Sequence, residues 1–75
     1  MMTTLEQDAK SAKEWMKKTG LVVLYPVGSK EALDGLWENW QALSDEDKSL
    51  SDQKSIELFG MDNSNHHDIL ELLYV

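Results

Sequence analysis

The chain has 75 residues, no cysteine, fourteen acidic side chains against seven basic ones, and a formal net charge of −7. That length predicts a single small domain spanning 1–75, in which folding removes only about 60% of the unfolded chain's surface from water. The missing cysteines exclude disulfides and thiolate metal sites. All seven bases are lysine, and arginine is the usual residue for bidentate phosphate and guanine contacts, so direct nucleic-acid binding is not expected. Stability must come from packed Trp, Leu and Met or from a partner chain, which makes a homo-oligomer one expectation.

No apolar run approaches the roughly 18–20 residues of a membrane span, so no membrane partner is expected. No positively charged and apolar leader pattern opens the chain, and a cytoplasmic protein is the plain expectation. Charge is unevenly placed. Residues 1–20 net +1, residues 21–75 net −8, and residues 31–47 hold six acids and no base.

The first element is a helix over 4–19. Thr3-x-x-Glu6 and Thr4-x-x-Gln7 both fit a capping box, Lys17 and Lys18 complement the negative end of the dipole, and Gly20 suits the left-handed residue after a helix. Leu5, Ala9, Ala12 and Met16 form its apolar stripe, a seam that another helix or a second copy could approach. Residues 21–27, LVVLYPV, are short, apolar and partly β-branched between two glycines, and predict a strand. Pro26 places it at an edge, and its backbone groups need a partner in this chain or in another copy.

Ser29 then caps a helix over 30–43. At 100° per residue, Leu33, Leu36, Trp37, Trp40 and Leu43 fall on one side and Glu31, Asp34 and Glu38 on the other. Gly35 interrupts it, either for close approach of a neighbour or for no reason. Ser44 caps an acidic first turn, Asp45, Glu46 and Asp47, and a further helix or pair of helices reaches 59 before Gly60. Residues 61–65 predict a turn-rich connector. Residues 66–75 are compatible with a short helix capped by Ser64 or Asn65, or with a strand alternating through Ile69, Glu71, Leu73 and Val75 that would pair with 21–27.

Two clusters carry candidate chemistry. His66, His67 and Asp68, with Asp62 and Glu71, hold metal-ligand atoms. Adjacent histidines on a helix point about 100° apart and chelate poorly, so no metal and no cofactor is expected. No nucleophile–base pair or phosphate loop is present, and no enzyme activity is expected. Glu31, Asp34, Glu38, Asp45, Glu46 and Asp47 are the remaining cluster. Carboxylates three and four residues apart on a helix stand about 5–6 Å from one another, a spacing similar to that of successive phosphates. Such a stripe either keeps the protein solvated or acts as a nucleic-acid mimic.

The fold expectation is an α-dominated α+β domain: three to four short helices and one strand over 21–27, paired to the C-terminal segment or to a dimer mate. The alternative is a small all-α bundle. The expected core is Ala12, Met16, Val23, Leu33, Leu36, Trp40, Leu43, Ile56, Phe59, Ile69, Leu70 and Leu73. The functional expectation is a non-enzymatic adaptor or inhibitor that binds another protein, a basic one included. By composition alone it is of the kind found among accessory proteins of phage and mobile elements. Its partner-binding candidates are the six acids above with Trp37 and Trp40, since tryptophan is a frequent hot-spot residue. The alternative is a decoy that blocks a basic site through the acidic helix face.

Overall fold

Four helices and one closing turn make up the computed structural model, which describes residues 4–74, Leu5 by its backbone alone. They are α1 (Thr4–Thr19), α2 (Lys30–Gln41), α3 (Asp45–Phe59) and α4 (Asn63–Glu71), followed by a 3-10 turn, Leu72–Tyr74. α1 has the predicted bounds. Gly20 closes it at φ 75°, and its N–H donates to the Met16 carbonyl at 2.8 Å. The Thr19 hydroxyl donates to the Trp15 carbonyl at 2.7 Å and accepts from the Leu21 N–H at 3.2 Å, so the chain leaves the helix by a hydrogen-bonded turn. The proposed Thr3 cap and the Leu5 side chain lie outside the described residues.

Ser29 and Ser44 cap α2 and α3 as their positions suggest, each hydroxyl accepting at 3.2 Å from the N–H three residues on. α2 ends at Gln41 with Ala42 as its C-cap, two residues before the expected end. α3 is one uninterrupted helix through Leu50 and Ser51, closed by Gly60 at φ 78°. α4 starts earlier than expected. Asp62 is its cap, accepting from the Asn65 N–H at 2.9 Å, so Asn63, Ser64 and Asn65 form the first turn rather than a connector. The tail is therefore helical, and the strand alternative for 66–75 is overturned over the described residues; its last position, Val75, lies outside them.

The predicted strand is also overturned. Residues 21–27 belong to no helix and no sheet, and no strand occurs among the described residues, so the all-α alternative describes the fold. The physical reason is that side chains of the helices supply the partners a ladder would have supplied. Ser51 Oγ donates to the Val22 carbonyl, Asn63 Oδ1 accepts from the Leu24 N–H at 2.9 Å, and the Tyr74 hydroxyl donates to the Val27 carbonyl. We refer to residues 21–27 as the strap.

Leu24, Leu33 and Leu70 form the central cluster, with Val27, Leu36, Trp37 and Tyr74 packed against it. Ala12, Val23 and Trp40 are buried as well. Ala12 brings the α1 seam into this interior, and α1 packs on α3. Met16, Leu36, Leu43 and Phe59 are half-buried. Three expected core residues are corrected: Ile56, Ile69 and Leu73 are exposed. Their places on the inner faces of α3 and α4 are taken by Ser51, Ser55, Asn63, His66 and His67, all buried. Inner faces that must hold the strap's backbone need hydrogen-bonding groups, and large aliphatic side chains there would leave its amides unpaired.

Candidate functional site

Two buried arrangements set the outer surfaces. The first is a polar spine. The Asn63 side chain lies at the junction of the strap, α3 and α4. Its Nδ2 donates to Ser51 Oγ at 2.9 Å and to Asp52 Oδ1 at 2.8 Å, while Oδ1 holds the strap. The Asp52 carboxylate also accepts from the Asn63 N–H at 3.1 Å. Below it, Ser55 Oγ donates to the Met61 carbonyl at 2.7 Å and fixes the turn between α3 and α4. These bonds satisfy both amide functions of Asn63, as a fully buried amide requires.

The second is an aromatic assembly between α2 and α4. Trp37 stacks on Trp40 with ring centroids 5.2 Å apart and on His67 with centroids 4.1 Å apart. Stacked rings of this kind contribute about 0.5–1.5 kcal/mol per pair beyond their buried area. Lys48 Nζ lies 5.5 Å from the Trp40 centroid, a cation–π contact from α3. His67 Nε2 is 3.0 Å from Glu71 Oε1, one turn on along α4. His66 points the other way, against Phe59 of α3 with centroids 4.4 Å apart. Its pKa is lowered by burial, an effect the Leu24 backbone partly opposes. Trp40 Nε1 and His66 Nδ1 are buried without a hydrogen-bond partner among the described residues.

The partner-binding candidates separate accordingly. Trp40 is buried against Trp37 and Lys48, and Trp37 is half-buried against His67 of α4. Glu31, Asp34, Glu38, Asp45 and Glu46 are exposed, and Asp47 is half-buried. None of the six makes an ion pair among the described residues, where the pairs are Lys54 with Glu57 and His67 with Asp68 and Glu71. Asp45, Glu46 and Asp47 occupy the first turn of α3, where they complement the helix dipole, and Glu31 does the same in α2. Asp34 and Glu38 have no such structural task. No group of three or more His, Asp and Glu placed to hold a metal ion occurs among the described residues. No helix among them is long and apolar enough to cross a membrane.

Two surfaces were missed. One is an apolar ridge at the end of α4: Ile69 is 50% exposed, Leu72 70% and Leu73 62%. Their spacing of three and four residues places them along one side of α4 and its closing turn. Asp68 and Glu71 flank this ridge, with side chains 82% and 47% exposed. The other is an open cleft of about 450 Å³ floored by Trp15, Leu21 and Leu50, with Lys54 and Glu57 paired at 3.0 Å among its lining residues. A signal for the ridge was available. Asp62 and Asn63 give α4 an earlier start, and the helix phase then turns Asn63, His67 and Leu70 inward and Leu72 outward. Compared with family models, curated proteins and solved structures, the chain matches none.

Proposed function

We propose that the protein is a non-enzymatic interaction module, an adaptor or inhibitor that binds another protein through the ridge of Ile69, Leu72 and Leu73. The observation that supports this most directly is an inversion of polarity. In a chain this short, Ser51, Ser55, Asn63, His66 and His67 are buried, while three large aliphatic residues stand exposed in a row. Single exposed aliphatic residues are ordinary, but a row on one helix face is the form an amphipathic helix takes when it inserts into a partner. A cytoplasmic setting goes with the cysteine-free composition.

The test is capture of the partner from the native host by wild-type protein and by the Ile69→Ser, Leu72→Ser, Leu73→Ser variant. Exposed substitutions of this kind change stability by about 0.5 kcal/mol or less each, so the variant should melt with the wild type. Loss of the captured protein with folding intact is the expected result. Equal capture removes the ridge from the interface.

A second reading rests on the unpaired carboxylates. An acidic stripe of Glu31, Asp34 and Glu38 that pairs with no cation among the described residues is suited to occupy a basic groove as a nucleic-acid mimic, and such binding weakens steeply with salt. Here the Asp34→Lys, Glu38→Lys variant should abolish binding. Normal binding by that variant in about 50 mM salt sinks the decoy.

A further inference from the structure

The ridge has a chemical asymmetry that narrows its occupant. Its apolar residues, Ile69, Leu72 and Leu73, continue the side of α4 that carries Asn65, while Asp68 and Glu71 line the neighbouring side. The Glu71 carboxylate meets His67 at 3.0 Å, and the Asp68 carboxylate lies 3.9 Å from the same ring. Neither meets a lysine among the described residues. A second copy is a poor occupant of this surface. In an antiparallel two-fold contact the same flank of the helix faces itself, so Asp68 and Glu71 would lie against the Asp68 and Glu71 of a molecule that also carries a net charge of −7. Like charges brought together at an interface oppose the apolar gain.

From this charge complementarity we infer that the ridge takes a basic amphipathic helix of another protein, its apolar stripe on Ile69, Leu72 and Leu73 and its lysines or arginines toward Asp68 and Glu71. The inference rests on the ridge being the interaction surface proposed above. Two helices packed face to face bring their axes to about 8–10 Å. A basic side chain beside the partner's stripe then reaches a carboxylate one residue before Ile69 and another one residue before Leu72. Buried apolar area supplies affinity, and the acidic flank selects the sign of the partner's charge and speeds its approach.

The probe is a synthetic helix of about four turns that repeats Leu-Lys-Lys-Leu, with a Leu-Glu-Glu-Leu peptide of the same pattern as its counterpart. Binding to the full chain is followed by calorimetry, and light scattering is run on the chain alone. The lysine peptide should bind, the glutamate peptide should bind at least about tenfold more weakly, and Leu72→Ser with Leu73→Ser should weaken the lysine peptide about tenfold. Asp68→Asn with Glu71→Gln should shrink the difference between the two peptides while leaving ridge-dependent binding in place. The basic-helix inference alone is overturned if both peptides bind equally through the ridge. It is also overturned if the chain self-associates and the ridge variant makes it monomeric, since the occupant is then a second copy. If the serine variant binds the lysine peptide as the wild type does, charge alone attracts it, and the ridge proposal fails together with this one.

Discussion

Asn63 is the residue on which three elements depend. Its carboxamide holds the Leu24 N–H of the strap and Ser51 and Asp52 of α3, and its backbone N–H donates to the same Asp52 carboxylate. Replacing it with alanine leaves the buried Leu24 amide without a partner, costing about 1–3 kcal/mol, and removes the donor that Ser51 and the half-buried Asp52 share. Asn63→Ala should therefore lower stability by about 3 kcal/mol, read as a fall in the urea midpoint. Asn63→Asp keeps the acceptor but loses the donor and sets a second carboxylate against Asp52, so it should be the more damaging of the two. Both variants unfolding with the wild type would show that the strap is held without the Asn63 bonds, by packing and by Ser51 and Tyr74. His66 is the residue that links stability to pH. Burial lowers its pKa in the folded state below the ordinary 6.5, so on acidification the unfolded chain takes the proton first. Its contribution is fully present above about 6.5, falls as pH drops through that value, and stops falling below the lowered folded pKa. Urea midpoints from neutral to mildly acidic pH should drop more steeply for the wild type than for His66→Gln. Parallel curves would show that groups other than His66 carry the acid response.

At the scale of elements, Gly35 gives the cleanest prediction. It lies inside α2, and a methyl group built on it meets nothing within 4 Å. Close approach by a neighbour is thus not its reason, and the ordinary helix penalty of glycine applies. Gly35→Ala should stabilise the protein by about 1 kcal/mol, a rise in melting temperature of about 4–8 °C for a domain of this size. A fall would mean that α2 uses the glycine in a second conformation. Gly35 was correctly placed in a helix because the helix signals here are local. Ser29 and Ser44 cap within three residues, and Gly20 and Gly60 end α1 and α3 within one. The strap was misread because its partners are not local. Val22 finds Ser51, Leu24 finds Asn63 and Val27 finds Tyr74, at separations of 29, 39 and 47 residues. A β-branched apolar run between glycines predicts a strand, but what satisfies this backbone lies outside any local window. The same cause hid the ridge. α3 and α4 bury serine, asparagine and histidine to serve the strap, so a search for buried aliphatic residues chose Ile56, Ile69 and Leu73, which face outward. The outer face of α2 needed no distant partner, and its three exposed acids lie where the helical period puts them.

For the whole molecule, size and charge act together. The radius of gyration is 11.5 Å, close to the roughly 11 Å of a compact chain of this length, and a net charge of −7 is confined to that volume. Repulsion of this kind destabilises the compact state and is screened by salt, since the Debye length shortens from about 30 Å at 0.01 M to about 8 Å at 0.15 M. The melting temperature should therefore rise as sodium chloride is added at neutral pH. The acids do not share this burden equally. Asp45, Glu46 and Asp47 sit at the positive end of α3, where their charge is stabilising, whereas Glu38 lies toward the negative end of α2, which has no basic residue in its last turn. Glu38→Lys reverses an unfavourable dipole contact and lowers the net charge, so it should stabilise the free protein by about 0.3–1 kcal/mol and flatten its salt dependence. Glu46→Lys lowers the net charge equally but places a cation at a helix N-terminus, and should gain less or lose stability. The pair separates two explanations of the acidic face in one melting series. If both substitutions stabilise alike, only total charge matters. If Glu38→Lys stabilises the free chain and yet loses the partner, the carboxylate is held against the fold's own preference, as expected of a residue that contacts another protein.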